Sequence, residues 1–292
     1  MNTSKRDKVL VVLSGGQDST TCLLWAKQRY KEVFAVTFDY GQKHRVEIDA
    51  ATCIASMVGV DLHRIINVSG TLRGRSPLIN PHAELETYSD FNQMEGVIKD
   101  RVELTFVPLR NMLFLVLAAN FALSLDCYDI VTGVCQMDNA NYPDCTEDFV
   151  CATTFAMQEA LGMNREDYIK ADRPQLRVLT PLIALTKAET VKLASTFPDW
   201  ERVMSMSHTC YAGETPPCGK CHACVLRAEG FRQAGIPDPL VERWEAIKAR
   251  WPAAMASGIT LGEIEAFEKD PKHWKHTPPP NTATDLTGQE EA

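Results

Sequence analysis

The chain has 292 residues, 45% of them apolar, and a formal net charge of -8 from 30 basic and 38 acidic side chains. That length supplies one large core, or one plus a small appendage. The acidic balance argues against a broad basic face for DNA or long RNA, so no direct nucleic-acid partner is expected, while a local basic pocket stays open. In chain order, residues 9–13 read as a short apolar strand, and 19–30 have helical spacing with Asp18 or Ser19 as the cap. Residues 33–38 are a second strand ending at Asp39, 44–58 a second helix and 62–68 a third strand. Strands apolar on both faces, in βαβαβ order, predict a parallel sheet between helical layers. Residues 69–104, with Pro77 and Pro81, break the rhythm in the manner of a lid or pocket wall. A helix follows over 111–125, a strand over 128–132 that ends in Gly133, and a helix over 146–161 with acids in its first turn. Residues 178–182 lead into a helix near Lys187, and 239–250 read as a helix. From about residue 277 the tail is polar and aperiodic, and is expected to be disordered. No run is long and apolar enough for a membrane span and no leader-like segment opens the chain, so a cytoplasmic location is expected.

Between the first strand and first helix lies Ser14-Gly-Gly-Gln-Asp-Ser-Thr20. Two glycines let the backbone turn and approach a ligand, the helix start offers free N–H groups, and Ser14, Ser19 and Thr20 add hydroxyls. That set suits a phosphate or pyrophosphate. Asp18 would repel phosphate directly and fits either a cap or a Mg²⁺ ligand bridging phosphates. The spacing is neither a Walker loop nor Gly-x-Gly-x-x-Gly. A plain capped turn is the competing reading.

Ten cysteines are present. Those at 22, 53, 127, 135, 145 and 151 are scattered and suit small buried hydrophobes. Cys210, Cys218, Cys221 and Cys224 instead follow C-x7-C-x2-C-x2-C, a spacing that lets four thiolates surround one Zn²⁺. An iron–sulfur cluster is the rival. Four sulfurs leave no open position, so such a metal would be structural. His208 and His222 are either surface histidines or donors to the thiolates.

Single polar residues carry weaker signals. Arg110, before an apolar helix, is either a surface arginine or a cation for ATP phosphate or a substrate carboxylate. Lys187 at a helix start is electrostatically mismatched unless an anion is nearby. Asp39 ends a strand where ligands gather in parallel sheets, and suits Mg²⁺, a ribose or a turn cap. Asp138, Tyr142 and Asp144 form a polar loop in which a ring could stack on a planar base and a carboxylate accept its N–H groups. A surface turn is the alternative. Cys145 is a nucleophile to watch.

The serine-glycine loop resembles the pyrophosphate loop of the N-type ATP pyrophosphatases. Thr37-Phe-Asp-Tyr-Gly-Gln-Lys-His-Arg45, Phe106-Val-Pro-Leu-Arg-Asn-Met-Leu-Phe114, Thr132-Gly-Val-Cys-Gln136, Asn141-Tyr-Pro-Asp-Cys145, Thr180-Pro-Leu-Ile-Ala-Leu-Thr-Lys-Ala-Glu189 and Thr209-Cys-Tyr-Ala-Gly213 narrow this. Together they resemble the 7-cyano-7-deazaguanine synthase family, over roughly residues 9–236. The resemblance implies a Rossmann-like α/β domain of the adenine nucleotide alpha hydrolase type over 1–205, a zinc-stapled segment with helices over 206–250, and an extension over 251–292. It implies ATP at Leu13, Ser14, Gly15, Gly16, Gln17, Asp18, Ser19, Thr20, Thr21, Cys22, Leu23 and Asp39, with Mg²⁺. Asp18, Arg110 and Lys187 would be catalytic, Asp138, Tyr142 and Asp144 would hold substrate, and the four clustered cysteines would bind zinc. The implied reaction takes 7-carboxy-7-deazaguanine, ammonia and ATP through an activated carboxylate and an amide to the nitrile. A homodimer is a further expectation. Two features depart from the family pattern: Leu109 stands where a glycine is usual, and Gln136, Asn139 and Asn141 alter the loop before Tyr142. They leave open a related enzyme that stops at the amide or joins another amine. A zinc-containing nucleotide-binding protein without turnover is the non-enzymatic alternative.

Overall fold

The computed structural model describes residues 7–42, 46–80, 82–136 and 141–250. Five parallel strands form its sheet: β1 (Lys8–Val12), β2 (Glu32–Asp39), β3 (Leu62–Asn67), β4 (Asp129–Val131) and β5 (Arg177–Leu179), in the order β3-β2-β1-β4-β5. Ten helices accompany them among the described residues. They are α1 (Gln17–Lys27), α2 (Val46–Val58), α3 (Phe91–Ile98), α4 (Arg110–Ser124), α5 (Glu147–Ala160), α6 (Glu166–Lys170), α7 (Lys187–Ala194), α8 (Trp200–Met204), α9 (His222–Ala234) and α10 (Pro239–Arg250).

The strand period of two sends successive side chains to opposite faces. Val9 and Val11 join Leu23, Ile54, Leu182 and Phe197 in one core. Leu10, Phe34 and Val36 join Leu115, Ala118 and Met157 in the other. Each fully buried leucine contributes about 1.5–3 kcal/mol, so the central strands are fixed from both sides. β3 departs from the expectation of two apolar faces. It is an edge strand, and Leu62 and Ile65 are substantially exposed.

Several boundaries moved for local reasons. α1 begins at Gln17, two residues before the expected start, with Gly16 and not Asp18 or Ser19 at the N-cap. β5 escaped the sequence reading because three residues cannot display a period. It is held instead by Arg177, which grips the buried Asp129 of β4 through Nε at 2.8 Å and Nη2 at 2.5 Å. The 69–104 excursion contains α3, whose Met94 and Ile98 pack with Val225 and Leu226 of α9. By its internal contacts the chain divides into Met1–Asp238 and Pro239–Ala292. The cysteine segment therefore belongs with the sheet, since α9 packs along α7. α10 is the described part of the second unit. The expected disordered tail, His44, Arg45, Asp138 and Asn139 lie outside the described residues. No helix among the described residues is long and apolar enough to cross a membrane.

Candidate active site

β1 pairs with β2 on one side and β4 on the other, so the winding direction reverses at the C-terminal ends of β1 and β4. In parallel α/β sheets that reversal opens a crevice for ligands. The serine-glycine loop sits there. Ser14 N–H donates to Ser19 Oγ at 3.1 Å, and Gly16 N–H to Ser14 Oγ at 3.3 Å. Ser19 Oγ and Thr20 Oγ1 donate back to the Gly16 carbonyl at 3.1 and 2.7 Å. No side chain caps α1, which leaves its first N–H groups directed at the crevice, where an anion is favoured.

Two glycines make the loop buildable. Gly15 has φ +88°, and a Cβ there would lie 2.2 Å from the Glu47 carbonyl oxygen of α2. Gly133, just past β4, brings its backbone against the start of α1; a Cβ would lie 2.9 Å from Ser19 N.

The loop opens into a cavity of about 570 Å³. Ser14, Gly16, Gln17, Asp18 and Ser19 line one end together with Lys187. Lys187 Nζ donates to Asp18 Oδ2 at 2.8 Å across the crevice. The remaining wall carries Arg110, Glu47 and a group of rings: Phe38, Tyr40, Phe114, Tyr142 and Tyr211. Arg110 lies in this wall, its guanidinium carbon 5.9 Å from the Tyr40 ring centroid, so it is not a free surface arginine. Burial opposes its charge, but Tyr40, Tyr142, Tyr211 and Asp144 hold its pKa above the usual value. Glu47 is pushed up to about 7, first by burial, with Arg110 pulling down and Cys210 pushing up.

Tyr142 turns its hydroxyl away from the cavity, donating to Glu103 Oε2 at 3.1 Å and meeting Thr105 Oγ1. Glu103 is buried and belongs to the excursion, so residues 69–104 brace a wall of the cavity. Asp144 is not among the lining residues. The short 3₁₀ turn Pro143–Cys145 points it back at α4, where its carboxylate accepts the Asn111 N–H at 3.4 Å. Its pKa is raised by burial, against the pull of Arg110. Asp39 accepts from Gly41 N–H at 3.2 Å and also stands outside the lining, in the manner of a turn cap. Thr20, Thr21, Cys22 and Leu23 are buried; Cys22 and Leu23 have no exposed surface and belong to the sheet core. These four follow the loop in sequence, but the helical twist carries them away from the crevice. Leu13 lines the cavity, as does Cys145, which accepts from Asn111 Nδ2 at 3.4 Å.

The cysteine cluster adjoins this site. The four Sγ atoms of Cys210, Cys218, Cys221 and Cys224 lie within 4.8 Å of one another. Tetrahedral Zn²⁺ with bonds of about 2.3 Å separates its sulfurs by about 3.8 Å, and Cys218 and Cys224 stand 3.9 Å apart. Backbone N–H groups of Tyr211, Cys218 and Cys221 point at cluster sulfurs at 3.3–3.4 Å, the support that thiolates need. The Cys210 thiol is held below its usual range by the neighbouring Cys221 and Cys224. The donor set fits a tetrahedral thiophilic metal, and His208 is buried and not a surface residue.

A family profile described as queuosine biosynthesis protein QueC matches residues 8–235. The chain belongs to this family. Among its relatives, a 7-cyano-7-deazaguanine synthase from Gloeobacter violaceus is 48% identical over 235 residues, covering 80% of this chain and 95% of the relative. One of the same name from Laribacter hongkongensis is 46% identical over 81% of this chain and 95% of its own. Among solved structures, a 4-thiouridine synthetase–RNA complex with bound ATP aligns over 82% of this chain and 53% of that one, with 19% identity and a TM-score of 0.38.

Within the QueC fold, the departure at Leu109 has a physical explanation. Leu109 has φ +62°, the left-handed region that glycine occupies without strain, and its side chain is 68% exposed and outside the cavity lining. It strains the turn before α4 and leaves the pocket shape alone. Sequence reading missed Glu47, Tyr40 and Glu103. Tyr40 lies within the quoted Thr37–Arg45 stretch and Glu47 two residues after it, which was the available signal; Glu103 gave none.

Proposed function

We propose that the chain is a 7-cyano-7-deazaguanine synthase, an ATP-dependent ligase that converts 7-carboxy-7-deazaguanine and ammonia to the nitrile. The observation carrying this reading is the family match over residues 8–235, which includes every wall of the cavity at the β1/β4 crevice. ATP phosphates would lie on Ser14, Gly15, Gly16, Gln17 and Ser19 at the α1 N-terminus. Thr20 and Thr21 shape that loop from behind, by hydroxyl donation to the Gly16 and Gln17 carbonyls. Lys187 would neutralise phosphate charge as it develops, and Asp18 would exchange its lysine partner for Mg²⁺, which supplies charge stabilisation when bound. Arg110, in the cavity wall, would receive the substrate carboxylate. Tyr142, its hydroxyl fixed by Glu103, offers a ring face to a planar base. Ammonia attack on the activated carboxyl gives an amide, and a second activation of the amide oxygen followed by its elimination gives the nitrile.

Zinc is the metal we assign to Cys210, Cys218, Cys221 and Cys224, in a structural role. Reduced thiolates of this kind suit a cytoplasmic protein. A homodimer remains our expectation for assembly, with no direct nucleic-acid partner. The test is product mass from purified protein with the acid, ATP and ammonium. The nitrile mass is the expected result; the amide mass alone would place the chain with amide-forming relatives, and no product with ATP bound would make it a binding protein.

A further inference from the structure

Glu47 is an anomaly in a cavity that must hold the polyanion ATP and an anionic acid. It opens α2 directly over the phosphate loop, where its own carbonyl oxygen occupies the space a Gly15 side chain would need. Its side chain faces the cavity with Arg110 from α4, Tyr40 from the end of β2, and Cys210 and Tyr211 from the cysteine loop. Asp18, the other acid of the cavity wall among the described residues, meets Lys187. Among the described residues no hydrogen-bond donor meets the Glu47 carboxylate. A carboxylate that lines a cavity and meets no donor is an acceptor for a small N–H cation. The cation this reaction consumes is ammonium.

We infer that Glu47 is the ammonium site: its carboxylate docks NH4⁺ and removes one proton, releasing NH3 beside the activated carboxyl carbon. The inference rests on the ligase reading above. In the step, one N–H bond of ammonium breaks and its proton passes to a Glu47 oxygen, leaving the electron pair on nitrogen. That pair forms the C–N bond, and the C–O bond to the phosphate-bearing leaving group breaks with its electrons. A second proton leaves the new nitrogen to water, and Glu47 returns its proton to water before the next turnover.

Glu47→Gln keeps size and removes the base. At neutral pH it should lower kcat/KM for ammonium by about 10²-fold, the usual worth of a positioned base. The KM values for ATP and for the acid should change little. The deficit should shrink at alkaline pH, where ammonia is already unprotonated. Hydroxylamine, mostly unprotonated at neutral pH, should support turnover by the variant at close to the wild-type rate. Glu47→Asp should recover part of the ammonium rate, and thermal unfolding confirms folded samples. Equal losses with ammonium and hydroxylamine, or a rise confined to the ATP or acid KM, would overturn the assignment by making Glu47 a partner of Arg110. A wild-type chain that makes no product from the acid, ATP and ammonium would instead overturn the ligase reading, and the ammonium site with it.

Discussion

Gly230 of α9 lies against Lys187, and replacing it with alanine tests whether that contact matters to nucleotide binding. A Cβ at Gly230 would sit 2.4 Å from Lys187 Cγ, 3.0 Å from its Cβ and 3.3 Å from its carbonyl carbon. These atoms lie near the root of the side chain, so the lysine cannot yield by swinging its tip. Two effects oppose each other. Alanine favours a helix interior over glycine by about 1 kcal/mol, while overpacking costs about 1–3 kcal/mol. The net is a loss of up to about 2 kcal/mol, or a melting temperature lower by up to about 8 °C at this chain size. The functional effect should exceed that. The Lys187 side chain is only 10% exposed and reaches Asp18 at 2.8 Å. Shifting it removes a charge-assisted contact worth about 1.5–3 kcal/mol, or about ten- to hundredfold in ATP affinity. Calorimetric ATP binding and thermal unfolding on Gly230→Ala read both quantities. In the Lys187→Ala background the same substitution should add no further loss of ATP affinity, because its target is gone. A Gly230→Ala protein that melts higher and binds ATP as tightly as wild type would refute the reasoning, since helix propensity alone would then govern the site.

Cys218→Ser should lose the metal and most of the soluble protein, because a four-thiolate site contributes directly to folding; metal analysis of the purified variant checks it, and a stable, active, metal-free variant would contradict it. Asp144→Asn should lower stability by roughly 1 kcal/mol through the Asn111 contact and weaken ATP and the deazaguanine acid to a similar small extent. Separate dissociation constants decide that, and selective loss of the acid would return Asp144 to the pocket. Leu109→Gly should raise the melting temperature modestly, since relief of left-handed strain worth about 1–2 kcal/mol exceeds the added chain entropy of about 0.4–1 kcal/mol. Unchanged or lower stability would mean the turn is not strained.

What the sequence made legible was contiguous. Ser14 to Ser19 could be read because strand, turn and helix start follow one another in the chain, and the side-chain hydrogen bonds among Ser14, Gly16, Ser19 and Thr20 are made locally. The four cysteines were legible for the same reason: their spacing is itself the geometry. Lys187 stood out only as a charge in the wrong place, and the structure supplies the reason in Asp18, 169 positions away in sequence. What failed was whatever depends on two distant segments meeting. Asp144 looked like a ligand because it neighbours Tyr142, yet across the 3₁₀ turn Tyr142 lines the cavity while the Asp144 carboxylate meets the Asn111 N–H. Glu47 was not singled out, because nothing local says that α2 starts on top of Gly15. Leu109 was visible as a departure, but its meaning lay in a backbone angle.

The cysteine segment is more than a staple at the edge of the sheet. The His208 N–H donates to the Gly15 carbonyl at 2.8 Å. A peptide plane carries its carbonyl and the following N–H in opposite directions, so holding the Gly15 oxygen toward His208 fixes where the Gly16 N–H points. Gly15, at φ +88°, has no side chain to resist a flip of that plane. One neutral hydrogen bond contributes only about 0.5–1.5 kcal/mol, too little to define an anion cradle unless its donor is itself immobile. His208 is buried and lies two residues before the cluster residue Cys210. Thr209 between them packs over Gly16, where an added Cβ would meet its methyl at 3.3 Å. Thus the four-thiolate site, whose metal affinity in small domains reaches about 10–16 kcal/mol, fixes the donor that fixes the phosphate loop. A metal bound there with no open coordination position would then act on catalysis through the orientation of one peptide.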